Sequence, residues 1–138
     1  MRLAEDIAVV DVISGGRFEL GVGYKLEELE SFGVPFKERG ARTNETLGIV
    51  RRLLDGETVT LKNQFFDFTN VNITPEPIQK PHLPIWGGGF TQAAPRRSLW
   101  QWFQRTGCKS RVYDSYIAEL MKENRPTDNV RFASGFFG

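Results

Sequence analysis

The chain has one cysteine, Cys108, and one histidine, His82. A single cysteine excludes an internal disulfide and any zinc site built on cysteines. A dominant charge is also missing: 18 Lys and Arg stand against 17 Asp and Glu, for a net charge of +1. That balance removes any bulk electrostatic pull toward nucleic acid or an anionic membrane surface. No apolar run approaches the roughly 20 residues that span a bilayer. The opening stretch, MRLAEDIAVV, carries Glu5 and Asp6 and shows no signal-peptide cleavage pattern. The expectation is a cytoplasmic protein with neither a nucleic-acid nor a membrane partner. What the chain does hold is aromatic: 12% of its 138 residues, 11 of them Phe, which suits a large apolar core or a flat ligand.

Leu3, Ala4, Ile7, Val10 and Ile13 recur at helical spacing, so residues 2–13 read as a helix that Gly15 and Gly16 stop. Asp11 lies on the apolar side of that helix. A carboxylate there needs a partner, and the Gly15 and Gly16 amides or Arg17 are the nearest candidates. RFELGVG alternates Phe18, Leu20 and Val22 with Glu19, Gly21 and Gly23, a strand with one bulky face and one nearly bare face. LEELESFGVPF reads as a loop with room for a helical turn. The next helix carries Leu47, Val50, Leu53 and Leu54 on one stripe and ends at Gly56.

TVTLKNQFFDF predicts a hairpin turning near Asn63, a residue type that tolerates a left-handed backbone. ITPEPIQKPHLP holds four prolines and is extended. LPIWGGG is a short strand, and FTQAAPRRSLWQWF starts a third helix in which Pro95 is awkward. SRVYDSYIAELMKE sets Val112, Tyr116, Ile117 and Leu120 on one face of a fourth helix, and NVRFASGFF closes as a strand. This alternation predicts an α/β fold with a parallel sheet. The chain opens on a helix and ends on a strand, as the middle of a larger α/β protein would.

Two glycine-rich strand ends could carry chemistry. At the first, Gly21 and Gly23 leave one strand face bare, so a ligand or another backbone can approach, and Lys25 could meet a phosphate as a point charge. A tight strand exit with a solvated lysine explains the same residues. At the second, WGGGFTQ runs from a strand into a helix, whose free N–H groups suit a phosphate, with the Thr91 hydroxyl beside them. A plain strand-to-helix turn is the alternative. It lacks the lysine of a P-loop and the spacing of a dinucleotide fingerprint. His82 precedes its strand, whereas sites in parallel sheets lie at the C-terminal ends, so it reads as structural. Cys108 sits in no recognisable nucleophile motif. Glu19 is charged on the bare strand face and needs a partner or a ligand. The three tryptophans read as packing residues.

Taken in order, RLAEDIAVVDVISGGRFELGVGY, FGVPFKERGART and PIWGGG followed by a helix resemble the luciferase-like monooxygenase family, the group of bacterial luciferase and deazaflavin-dependent reductases. The resemblance runs from residue 2 to about residue 97 and resumes over residues 109–137. It implies a TIM (β/α)8 barrel, here an incomplete one, with residues 1–138 as a single partial barrel domain. The hairpin and proline-rich run over residues 58–84 would be the family's insertion between two barrel strands.

The resemblance further implies reduced FMN or a deazaflavin (F420) at the C-terminal ends of the strands. It implies oxidation of a small organic substrate, often with molecular oxygen. Gly23, Tyr24 and Lys25 would contact the cofactor or its phosphate, and Gly88, Gly89 and Thr91 would form the phosphate loop. The early strands that supply the family's usual catalytic histidine have no counterpart here, so no residue is nominated as catalytic, though an acid or base role for Glu19 stays open. Family members pass from the phosphate loop through an alanine-rich helix to a GDGW-like strand, where this chain has Pro95 and SLWQWFQRTGC. A whole barrel takes roughly 250 residues. Two other readings stand beside the enzyme: a non-catalytic remnant or interaction module that self-associates through exposed sheet edges, and a phosphate- or nucleotide-binding domain.

Overall fold

The computed structural model describes residues 1–23, 26–81, 83–88, 102–105, 110–122, 124, 127 and 132–135. Of residues 26, 88, 102–105, 110–113, 115, 116 and 132–135 it describes the backbone alone. The chain divides into two compact units that it crosses between three times: Met1–Phe18 with Tyr24–Leu83, and Glu19–Gly23 with Pro84–Gly138.

The first unit is helical with a hairpin. Helix α1 (Arg2–Ser14) buries Ala4, Ile7, Ala8 and Asp11, an i, i+3, i+4, i+7 stripe. It ends at Gly15, whose φ of 66° is open to glycine at little cost. There the Gly15 amide donates to the Val12 carbonyl and the Gly16 amide to the Asp11 carbonyl, a Schellman motif that satisfies two orphan acceptors. Residues 26–31, expected as a loop, form the short helix α2 (Leu26–Ser31), followed by a 3-10 turn (Phe36–Glu38) and helix α3 (Arg39–Leu54).

The buried residues of α3 are Ile49, Val50, Leu53 and Leu54. Leu47, expected in the stripe, is only half-buried, and Ile49 takes the interior place. At 100° per residue the buried arc runs from Ile49 through Leu53 and Val50 to Leu54, and Leu47 falls just beyond its Leu54 edge. Burying a side chain such as Leu53 contributes about 1.5–3 kcal/mol. Gly48 projects to the opposite, exposed side, where an added Cβ meets no described atom within 4 Å. Gly48→Ala is therefore expected to stabilise the fold by about 0.5–1 kcal/mol, the helix-propensity difference. A denaturant midpoint that stays put or falls would contradict this.

Strands β2 (Val59–Lys62) and β3 (Asp67–Val71) pair antiparallel. Asn63 makes the turn through its side chain: its Oδ1 accepts from the amides of Phe65 and Phe66, each at 2.9 Å. Within the hairpin the left-handed asparagine is instead Asn70, with φ 52°, at the register shift between Val59 and Leu61. An extra residue in the longer strand has to be absorbed there, and asparagine accepts that backbone more readily than most residues do.

The second unit is a parallel sheet. Strands β1 (Leu20–Val22), β4 (Ile85–Gly88), β5 (Trp102–Arg105) and β6 (Phe132–Gly135) pair in the order β1-β4-β5-β6, every pair parallel. Helix α4 (Ser110–Lys122) connects β5 to β6 along the chain, as a parallel crossover requires, and Leu120 on it is buried. One expectation fails here. Residues 102–105, read as the tail of a third helix, form a strand between β4 and β6. Two aromatics in four residues favour that state, and pairing on both sides supplies the backbone hydrogen bonds that a helix would have made locally. So SLWQWFQRTGC, taken as the replacement of a strand, contains one. No helix among the described residues is long and apolar enough to cross a membrane.

Candidate functional site

The site grows from the pairing of β1 with β4. Leu20 lies opposite Ile85, Gly21 opposite Trp86 and Val22 opposite Gly87, with the Leu20 amide donating to the Pro84 carbonyl at 2.9 Å. Alternation then sorts the side chains. Leu20, Val22 and Ile85 share one face, where Ile85 is buried. Glu19, Gly21, Gly23, Trp86 and Gly88 belong to the other. Parallel pairing brings both C-terminal strand ends to the same edge, so Gly23 and Gly88 each stand one residue beyond the Val22–Gly87 pair.

Among the described residues the glycine face is open. A Cβ built on Gly21 or Gly23 would meet no described atom within 4 Å. Neither glycine has the positive φ that marks a strained turn, which the tight-turn explanation would need. A flat ring can therefore approach this backbone closely. Beside the glycines, the Trp86 indole N–H donates to the Glu19 carboxylate, Nε1 to Oε2 at 2.6 Å. One partner of Glu19 is thus a tryptophan that the sequence offered only as packing.

Of the residues expected at the site, Gly23 and the backbone of Gly88 are brought together. Tyr24, Lys25, Gly89 and Thr91 lie outside the described residues, as do His82, Pro95 and Cys108.

A second polar cluster lies in the helical unit. Asp11 is wholly buried, and its carboxylate faces neither the glycine amides nor Arg17. Its Oδ2 accepts from the amides of Ile78 and Gln79 at 2.8 and 3.1 Å, and its Oδ1 accepts from Gln79 Nε2 at 2.7 Å. Gln79 Nε2 also donates to the Phe18 carbonyl at 2.6 Å. The glycine amides were unavailable because the Schellman motif spends them on carbonyls. Nothing local in the sequence marks Gln79 as the partner. The one signal is an uncharged amide in a proline-rich run, where few backbone groups pair with each other.

Fold and site together define an α/β protein whose parallel strands gather glycine-rich ends at one edge, the usual place of a ligand in such sheets. The sequence profile described as luciferase-like monooxygenase matches residues 1–99, and the chain belongs to that family. An uncharacterized protein of Mycobacterium tuberculosis is 37% identical over 98 residues, spanning 70% of this chain and 33% of that protein. The FMNH2-dependent dimethylsulfone monooxygenase of Pseudomonas putida is 28% identical over 96 residues, 66% of this chain and 26% of its own length.

Among solved structures, monooxygenase RslO1 from Streptomyces bottropensis superposes with a TM-score of 0.82 at 22% identity, over 96% of this chain and 44% of that one. An F420-dependent secondary alcohol dehydrogenase in complex with an F420-acetone adduct gives a TM-score of 0.81 at 15% identity, over 96% and 43%. The chain thus has the fold of a partial barrel of the luciferase-like type. It spans about a third or less of the length of the curated relatives it matches.

Proposed function

We propose that this chain provides the flavin-binding strands of a cytoplasmic luciferase-like oxidoreductase, which acts on a small organic substrate with incorporation or reduction of oxygen. The observation that carries the reading is the β1–β4 register, which sets the Gly23 and Gly88 ends abreast beside an open face. The cofactor is reduced FMN or a deazaflavin, F420. One similar protein depends on FMNH2 and another on F420, which supports the flavin class and leaves the two on equal footing.

Gly23, Gly88 and Gly89 admit the cofactor against the backbone. Tyr24, Lys25 and Thr91 meet its polar tail: Lys25 as a point charge, Thr91 through its hydroxyl. The bound flavin supplies the redox chemistry, and the chain binds it, orients it and keeps water from it.

The outer strands of the described sheet, β1 and β6, support a second reading. In it the chain is a binding or interaction module without turnover of its own, associating with further copies through those two strands.

The test is a fluorescence titration of the full chain with FMN and F420, oxidised and reduced, beside size-exclusion chromatography. Saturable binding is expected, weakened about tenfold in Thr91→Ala by loss of one hydrogen bond to a charged group. A folded chain that binds no flavin would refute the proposal. Flavin binding without turnover, together with concentration-dependent assembly, would select the second reading.

A further inference from the structure

We infer that Glu19 and Trp86 form the floor of the flavin ring's seat, with Glu19 as a positioning residue that holds the Trp86 indole in place for the ring. The inference rests on the flavin-binding reading and adds two residues that it does not use. Alternation along β1 puts Glu19 on the same face as Gly21 and Gly23, and the Gly21–Trp86 pairing puts the indole on that face too. The one bulky aromatic group on the open face of these two strands therefore stands level with a bare glycine. That arrangement suits a planar heteroaromatic ring, which lies over the glycine backbone and meets the indole in offset or edge contact.

The hydrogen bond explains how the indole keeps its orientation. Glu19 is level with Pro84 in the register, so its carboxylate reaches diagonally across to Trp86, a separation that long side chains bridge. An indole N–H can only donate and a carboxylate oxygen accepts, so the direction of this bond is fixed. Glu19 is exposed, and exposed polar contacts contribute little to stability. The bond by itself therefore adds little to the stability of the sheet.

The experiment titrates the full chain with FMN, following tryptophan and flavin emission, in wild type, Glu19→Ala, Glu19→Gln and Trp86→Phe, with a thermal melt of each. Glu19→Ala is expected to weaken FMN binding about tenfold. Glu19→Gln, which keeps an acceptor for the indole, should stay within about threefold of wild type. Trp86→Phe should remove the part of the tryptophan emission that FMN quenches, leaving that of Trp100 and Trp102. All four melts should coincide. Wild-type FMN affinity in Glu19→Ala, or quenching unchanged in Trp86→Phe, overturns the inference and leaves the flavin reading standing. A lowered melt in Glu19→Ala also overturns it, because the residue is then structural. A folded wild type that binds no FMN removes the flavin reading, and this inference falls with it.

Discussion

Asp11→Ala is expected to destabilise the chain by about 3 kcal/mol, the largest single effect of any substitution considered. The wild-type carboxylate is fully buried and takes three hydrogen bonds, from the amides of Ile78 and Gln79 and from the Gln79 side chain. Alanine leaves those donors without their acceptor, at about 1–3 kcal/mol for each that stays dry. Gln79 is only half-buried, so water recovers part of the loss and the total falls well below the sum. For a chain of this size that is a fall in melting temperature of roughly 10 °C.

The series orders itself. Asp11→Asn keeps the shape but turns an amide donor toward a donor, so about 2 kcal/mol is expected. Gln79→Ala removes the side-chain bonds to Asp11 and Phe18 and leaves both backbone bonds, so about 1–2 kcal/mol is expected. The double variant should lose less than the sum, because both changes delete the same contact. Urea denaturation followed by circular dichroism measures all four. An Asp11→Ala chain within about 0.5 kcal/mol of wild type would show that the buried carboxylate holds nothing together.

Gly23→Val should separate binding from folding. Valine suits a strand end, and its Cβ meets no described atom within 4 Å, so stability should change by less than about 1 kcal/mol. The same methyl groups occupy the space through which the proposed flavin ring approaches the backbone. Binding should fall about 100-fold, or about 2.7 kcal/mol. Gly21→Val, on the same face, should behave alike. If either valine variant folds and binds FMN as wild type does, the open glycine face is not where the ring lies. If both unfold, the face is packed against something the strand needs, and the glycines are structural.

How legible the molecule was depends on how far apart in the chain the interacting groups are. The end of α1 could be read because Gly15 and Gly16 close it within a few residues of its last turn, although Leu3, Val10 and Ile13 of the expected stripe are exposed. The hairpin could be read at Asn63 for the same reason, although the asparagine works there through its side chain and the left-handed backbone falls at Asn70. The two glycine-rich strand ends were visible separately. Their adjacency was not, because Val22 and Gly87 meet only through a crossover that includes two helices and a hairpin.

Residues 102–105 show the limit most plainly. A short aromatic run fits a helix or a strand, and its partners β4 and β6 decide between them. Periodicity and turn chemistry are local, so the α/β class, the C-terminal ends of α1 and α3, the family and the residue types at both strand ends were legible in the chain itself. Asp11 accepts from the amides of Ile78 and Gln79, 67 and 68 residues on, and Glu19 from the indole of Trp86, 67 residues on, and only the folded chain shows either contact. A buried carboxylate must find donors, but which donors reach it depends on where the folded chain brings its distant segments together.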